Sequence, residues 1–313
     1  MLSRRTLLAA LPAVPLSVPA ARPVRAQARP RVVATFSILG DLAAQVGGDA
    51  IDLSVLVGPD TDAHTYQPRP ADARALAAAQ VLVSNGLGFE GWIDRLVAAA
   101  PFRGRAIVAS KGVATLKAAA TGHGHGHDHA HGHDHGKGID PHCWQDVGRA
   151  RRYAANIVEG LAAADPASAA AIKARGAAYD KTLATLDAWV RSEIGRVPAA
   201  QRRALIGHDS LRYFAAAYGV TFVSPRGFST ESEPSARDVA ALIRQVREQK
   251  IKALFLENMT SPGLVEQIAR ESGAVVGPRL YSDALSAPGG PAPTYEAMMR
   301  HNVTTLVAGM LAN

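Results

Sequence analysis

Apolar positions in the first half of the chain alternate between short runs rich in β-branched residues and longer stretches with helical spacing. Residues 31–35 form the first strand-like run, and residues 38–46 form a helical stretch that Gly47-Gly48 ends. The alternation continues through strand-like and helical segments at residues 53–57, 71–79, 81–84, 92–100, 106–109 and 147–163. Strands separated by helices of this length pair in parallel, so the pattern predicts an α/β lobe.

The second half opens with one long helical pattern and then repeats the alternation. Apolar residues recur at spacings of seven, four, three and four at Ile172, Tyr179, Leu183, Leu186 and Val190. At roughly 1.5 Å per residue, a helix of about thirty residues spans about 45 Å, and Gly176 inside it weakens the pattern slightly. Strand-like runs then alternate with helical stretches at residues 204–206, 211–218, 221–223, 235–249, 253–256, 264–271, a run ending at Tyr281, and 294–311. This half predicts a second α/β lobe.

The chain of 313 residues is long enough for two domains with separate cores. We expect an N-terminal lobe at residues 29–165, a linking helix at 166–196 and a C-terminal lobe at 197–313. The fold class is therefore α/β, with two parallel-sheet lobes joined by a long rigid helix. The net charge of +7 falls to +3 without the four arginines of the first 28 residues. That balance is too mild to indicate binding of nucleic acid.

The first 28 residues resemble a bacterial signal peptide. Arg4 and Arg5 precede a short apolar run, and Ala26-Gln27-Ala28 fits a signal peptidase cleavage site. The paired arginines also resemble the twin-arginine pattern, so general secretory and twin-arginine export both stay open. Prolines interrupt the apolar run and no cysteine lies near the cleavage site. We therefore expect a soluble, monomeric periplasmic protein with neither a membrane span nor a lipid anchor.

Eight of the eleven histidines lie close together near the middle of the chain. Seven alternate with Gly, Asp and Ala in residues 122–138, at His123, His125, His127, His129, His131, His133 and His135. A short His-rich tract is typical of metal binding, and this one has nothing to bury, so we expect a mobile loop that binds several ions weakly. Its role in capture, transfer or sensing stays open. The eighth, His142, follows in the segment Asp-Pro-His-Cys-Trp, whose proline and tryptophan favour an ordered position and one fixed ligand.

Three further candidate ligands follow predicted strands: His64, His208 and Asp283. Ligands of parallel α/β sheets bind at the carboxyl ends of the strands, so two facing lobes would bring these residues to one cleft with His142. Three imidazoles and one carboxylate suit tetrahedral Zn²⁺. Each residue also has a structural interpretation. His64 could be a turn residue, His208 a solvent-facing residue at a helix start, and Asp283 a helix N-cap.

Other residues compete for the same role. Glu257, Asp62 and Asp209 are alternative carboxylates, and Cys143 is either a buried small hydrophobe or a soft metal ligand. Because the candidates are scattered over about 220 residues, spacing alone leaves the ligand set open.

Four motifs surround the candidate ligands, namely TDAHTYQP at residues 61–68, DPHCW at 140–144, GHDS at 207–210 and LYSDALS at 280–286. In this order they resemble the cluster A-I family (cluster 9), the zinc and manganese solute-binding proteins of bacterial ABC transporters. The segment FLENM at residues 255–259 also fits. The resemblance covers nearly the whole chain after the export signal. It implies two α/β lobes, a long linking helix and one metal in the cleft between the lobes.

Carried over residue by residue, the family's ligands fall on His64, His142, His208 and Asp283. Manganese members typically have a carboxylate at the third position, so His208 favours zinc, as does the His-rich insertion. Two departures matter. The single cysteine excludes the disulfide that many zinc members have in the second lobe. Ala63 stands where some zinc members place an acidic residue, which favours Asp283 as the fourth ligand.

The resemblance therefore implies a periplasmic protein that binds one Zn²⁺ tightly and delivers it to the permease of an ABC importer. A periplasmic metallochaperone is a further expected partner. Manganese or iron cargo, and a zinc buffer that works without a permease, stay open as alternatives. A zinc hydrolase is disfavoured because the chain contains neither an H-E-x-x-H nor a G-x-S-x-G motif.

Overall fold

The N-terminal lobe is built on a four-stranded parallel sheet. The computed structural model describes residues 29–117, 138–225, 230–231, 234–259 and 262–313. The strands β1 (Arg31–Phe36), β2 (Asp52–Val57), β3 (Val81–Ser84) and β4 (Arg105–Val108) lie in the order β2-β1-β3-β4. The central strands are apolar and almost wholly buried, as expected for a parallel sheet covered on both faces. The helices of this lobe are α1 (Ser37–Gly47), α2 (Pro70–Ala78), α3 (Ile93–Ala99) and α4 (Val147–Ala164).

The C-terminal lobe repeats this arrangement with shorter strands. Its sheet is also parallel, in the order β6-β5-β7-β8, with strands β5 (Arg203–Leu205), β6 (Thr221–Val223), β7 (Ala253–Leu254) and β8 (Val275–Val276). Its helices are α6 (Arg212–Tyr218), α7 (Ala236–Glu248), α8 (Gly263–Ser272) and α9 (Tyr295–Met310). The predicted fold class of two parallel α/β lobes is confirmed.

One predicted strand is wrong in extent. The run ending at Tyr281 forms only the two-residue strand β8, and further along it Leu280 makes a single bridge to Glu257. Pro278 lies between the two, and proline has no N–H to donate to a neighbouring strand.

A long helix, α5 (Ala169–Gly195), connects the lobes. Its 27 residues correspond to about 40 Å, and its buried residues follow the predicted apolar spacing. It packs against α1 and α4 of the first lobe and α9 of the second. Gly176 lies where a Cβ atom would collide with the side chain of Val158, so the glycine permits the close approach of α4 and α5. Within the described ranges, no helix is both long and apolar enough to cross a membrane.

One continuous core extends across the two lobes and includes residues of both sheets, and a second, smaller core lies within the C-terminal lobe. Hydrogen bonds across the lobe boundary attach the segment that contains His142 to the second lobe. Trp144 Nε1 donates to the carbonyl of Ser282 at 2.9 Å, and the Tyr295 hydroxyl donates to the carbonyl of Trp144 at 2.6 Å. The Tyr213 hydroxyl donates to the carbonyl of Asp140 at 2.7 Å. This interface holds the loops of the two lobes at a defined separation.

Candidate metal centre

Four loops that follow strands or bridges meet between the lobes. His64 lies in the loop between β2 and α2, and His208 lies between β5 and α6. His142 lies just before a short 3-10 turn at Cys143–Gln145, after the antiparallel bridge of Lys117 to Ile139. Asp283 follows the bridge at Leu280 and faces the same cleft.

The structure brings these four side chains into one cluster. One potential ligand atom from each residue lies within 4.8 Å of those of the other three. Nε2 of His64 is 3.2 Å from Nε2 of His142 and 3.3 Å from Oδ2 of Asp283. Nε2 of His208 is 2.9 Å from Oδ2 of Asp283, and Nε2 of His142 is 3.6 Å from Oδ1. A tetrahedral ion with bonds of about 2.0–2.1 Å separates its ligand atoms by about 3.3 Å, which matches this spacing.

The structure contradicts the structural interpretations of His208 and Asp283, whereas His64 does lie in a bend of the chain at residues 63–65. His142, His208 and Asp283 are each 0% exposed, and His64 is 6% exposed. His208 is therefore not solvent-facing, and no helix starts within ten residues after Asp283. Among the described residues, Oδ1 of Asp283 is a buried oxygen without a hydrogen-bond donor. An ionised carboxylate with spare acceptor capacity next to three imidazole nitrogens fits a divalent cation.

Aromatic rings enclose the cluster on the side of the first lobe. The ring centroid of Phe89 lies 4.5 Å from that of His64 and 5.8 Å from that of His142. The ring centroid of Trp144 lies 5.2 Å from that of His142. Such rings exclude water and limit the rotation of the imidazoles.

Two buried carboxylates contact the Nδ1 side of two of the imidazoles, opposite the Nε2 atoms of the cluster. Oδ1 of Asp140 accepts from the backbone N–H of His142 at 3.0 Å and lies 2.8 Å from its Nδ1. Oε2 of Glu257 accepts from the backbone N–H of His208 at 2.9 Å and lies 3.0 Å from its Nδ1. A carboxylate at Nδ1 holds the proton there and turns Nε2 toward the metal. Among the described residues, Nδ1 of His64 has no such partner, because Asp62 accepts only the backbone N–H of that residue, at 2.8 Å.

The electrostatics of the cluster are strongly coupled. Burial opposes the charged form of His142, but Asp283 and Asp140 outweigh it and raise its pKa to about 9. The pKa of His208 is also raised well above its ordinary value, because Glu257 and Asp283 outweigh burial. Burial raises the pKa of Asp283, but the charges of the two imidazoles hold it well below the usual range. The pKa of His64 is lowered, mainly by burial. Without metal, His142 and His208 are therefore cations that balance the carboxylates.

The competing carboxylates lie outside the cluster of four. Glu257 is 1% exposed and faces Nδ1 of His208 instead of the ligand atoms. Asp62 accepts from the hydroxyl of Thr230 at 2.6 Å, and Asp209 lies 3.5 Å from Arg212. Neither therefore joins the cluster of four.

Cys143 is buried beside His142 but is not part of the cluster. Burial raises the pKa of its thiol to about 11, so the thiol is protonated at neutral pH. This environment suits a small buried hydrophobe better than a thiolate ligand.

The Asp-x-His spacing at residues 140–142 could have indicated the role of Asp140 from the sequence. Nothing in the sequence distinguishes Glu257 as an outer partner from Glu257 as a ligand, because that depends on where His208 lies. The predicted accessory ligands of residues 122–138, His123, His125, His127, His129, His131, His133 and His135, lie outside the described residues, as does the predicted signal at residues 1–28.

Comparison with known proteins gives consistent matches over nearly the whole described chain. The family model of ZnuA, described as zinc-uptake complex component A, periplasmic, matches residues 32–309. The manganese-binding lipoprotein MntA of Bacillus subtilis is 30% identical over 286 residues, which cover 90% of this chain and 89% of the relative. The iron-binding protein YfeA of Yersinia pestis is 30% identical over 280 residues, which cover 89% of this chain and 86% of the relative.

The solved structure of the periplasmic zinc binding protein TroA from Treponema pallidum superposes with a TM-score of 0.82. Its sequence is 28% identical, and the match covers 90% of this chain and 99% of TroA. The resemblance seen in the sequence motifs is thus confirmed by sequence and by fold. The chain belongs to the ZnuA family, the cluster A-I solute-binding proteins of metal ABC transporters.

Proposed function

We propose that this protein captures Zn²⁺ in the periplasm and delivers it to the permease of an ABC importer. The proposed ligands are His64, His142, His208 and Asp283. One observation supports this proposal above all others: three imidazole nitrogens and one carboxylate oxygen lie within 4.8 Å of one another in a buried cluster.

The chemistry of the ligand set favours zinc. Imidazole nitrogen suits Zn²⁺, whereas manganese prefers carboxylate and water oxygens. A site with four protein ligands also leaves no position for a reactive water, so it supports binding and not catalysis.

Manganese is the second candidate, because relatives are named for different metals. MntA of Bacillus subtilis is named manganese-binding and YfeA of Yersinia pestis iron-binding, whereas TroA of Treponema pallidum is named zinc binding. A histidine at position 208 is the feature of this chain that argues for zinc among these metals.

The test combines elemental analysis of the purified protein with competition titrations of Zn²⁺ and Mn²⁺. Wild type should contain zinc and prefer it. His208→Glu replaces a nitrogen ligand with an oxygen ligand and should lower the preference for Zn²⁺ over Mn²⁺. Glu296→Gln, which changes a charged residue paired with Arg300 on α9, is the control and should leave both affinities unchanged. A wild-type protein that binds Mn²⁺ more tightly than Zn²⁺ would refute the zinc assignment.

We further propose that residues 1–28 direct export and that the seven histidines of the tract at 122–138 collect additional ions weakly. Delivery and buffering differ in their genetics. Deletion of the gene should impair growth under zinc limitation only in a strain with a functional permease. If the deletion caused the same growth defect in a strain without the permease, the protein would store zinc and not deliver it to the permease.

The helix α5 packs on helices of both lobes, which bears on how the metal leaves the site. This support disfavours a large hinge motion, so we propose that release proceeds through rearrangement of the ligand loops. Structures with and without zinc that differed by a large rotation of the lobes would contradict this.

A further inference from the structure

Glu257 is the most highly connected carboxylate next to the cluster. It is 1% exposed, and its two oxygens have different donors. Oε1 accepts from the hydroxyl of Ser210 at 2.9 Å, and Oε2 accepts from the backbone N–H of His208 at 2.9 Å. Both oxygens lie 3.0 Å from Nδ1 of His208. The backbone of Glu257 is itself held by the bridge to Leu280, three residues before Asp283.

These contacts define the orientation of the imidazole of His208. The carboxylate fixes the backbone of His208 and its Nδ1 at the same time, so the ring has one orientation available. In that orientation Nε2 lies 2.9 Å from Oδ2 of Asp283, on the side of the cleft. If Glu257 did not accept from Nδ1, the ring could rotate and the proton could move to Nε2, which would block the atom that binds metal.

We propose that Glu257 is a positioning residue. It holds the ring of His208 so that Nε2 is the atom that binds the metal, and it thereby sets the geometry of the metal centre. Glu257 acts through the imidazole of His208 and does not contact the metal ion. This proposal deepens the proposed function and rests on it, because it assigns the residue that makes a histidine at position 208 an effective zinc ligand.

The principal variant is Glu257→Gln. It has nearly the same shape but no charge, so its amide oxygen is a weaker acceptor for Nδ1 of His208. Because both carboxylate oxygens lie 3.0 Å from Nδ1, the amide N–H₂ group also has to occupy one of these two positions. Loss of an outer partner of a metal-binding histidine weakens metal affinity by about 10–100-fold. We expect a loss of this size for Zn²⁺, measured by competition with a chelator. We also expect weaker visible absorption of bound Co²⁺, because a rotated His208 lets water enter and raises the coordination number.

A double-mutant cycle separates positioning from general support of the fold. If Glu257 acts through the imidazole, Glu257→Gln should cost nothing further in Zn²⁺ affinity in the background of His208→Ala. An equal loss in both backgrounds would indicate a purely structural role and overturn the proposal. Glu296→Gln again serves as the control for removal of a glutamate charge outside the centre.

Folding is checked by thermal unfolding of each protein without metal. If Glu257→Gln does not fold, Glu257→Asp retains the buried charge and withdraws the carboxylate from Nδ1 by one methylene. The aspartate variant should show the same weakening of Co²⁺ absorption, and a wild-type spectrum would overturn the proposal. The outcomes also separate the two proposals. Weak Zn²⁺ binding by wild type would refute the proposed function, whereas tight wild-type binding with an equally tight Glu257→Gln would refute only the positioning role.

Discussion

Metal binding to this cluster should release protons, and the number of protons follows from the charges in the cleft. Without metal, the pKa of His142 is raised to about 9, chiefly by Asp283 and Asp140 acting against burial. The pKa of His208 is also raised well above its ordinary value. The pKa of His64 is lowered, so that ring is already neutral at pH 7. Each protonated imidazole must lose the proton of Nε2 before this nitrogen can bind a metal.

The magnitude and sign follow directly. At pH 7, deprotonation of His142 opposes zinc binding by about 2.7 kcal/mol, since its pKa lies about two units higher and each unit corresponds to about 1.4 kcal/mol. Protonation competes with metal, so affinity falls as the pH falls. With two protons displaced, we expect the apparent Zn²⁺ association constant to rise about a hundredfold per pH unit near neutral pH. The contribution of His142 should disappear above about pH 9.

Competition titrations across this pH range, corrected for protonation of the chelator, measure how the logarithm of the apparent Zn²⁺ association constant changes with pH. The slope of this plot is the number of protons displaced. Calorimetry in buffers with different ionisation enthalpies counts the protons independently. Asp140→Asn removes one carboxylate that raises the pKa of His142 and should bring the slope closer to one. His301→Gln, which changes a histidine of α9 that bonds to the carbonyl of Arg279, should leave the slope unchanged. A pH-independent affinity with no proton release would refute this description of the centre.

Three further predictions concern the loop, the fourth ligand and the helix packing. Deletion of residues 122–136 should leave one tight zinc site and remove weak extra stoichiometry in equilibrium dialysis; loss of the tight site would contradict the division between tract and cleft. Asp283→Ala should abolish tight binding and also destabilise the metal-free protein by about 3–5 kcal/mol in denaturant unfolding, because two buried imidazolium groups lose their shared counter-charge. An unchanged unfolding free energy would mean that the imidazoles are neutral. Gly176→Ala should cost about 1–3 kcal/mol through collision with Val158. Gly195→Ala on the same helix, where a Cβ meets nothing within 4 Å, should cost nothing, and equal effects would exclude the packing explanation.

The periodicity of the sequence was sufficient to predict most elements, because it records which side of each segment is buried. The strands at residues 81–84 and 221–223 have the predicted limits. The apolar spacing of α5 corresponds to its buried residues, and Ser235 caps α7 by accepting from the backbone N–H of Asp238. These features depend on neighbours within a few residues, so the local sequence carries the information.

Tertiary structure decided which carboxylate joins the buried cluster of imidazoles. Asp283 and Glu257 both follow strand-like runs in the second lobe, and the sequence alone left both open as carboxylate ligands. Which of them faces the cleft depends on how the imidazole of His208 lies between them. It contacts Asp283 through Nε2 and Glu257 through Nδ1.

The sequence by itself determined two α/β lobes, a long connecting helix and a set of residues able to bind a metal. Only the tertiary structure brought His64 and Asp283, about 220 residues apart, to 3.3 Å. Only it separated the carboxylate inside the cluster, Asp283, from the carboxylate behind His208, Glu257. The physical reason is that helices and strands form from local patterns of burial. A metal centre between lobes depends on the directions of side chains that meet only after both lobes have folded and packed together.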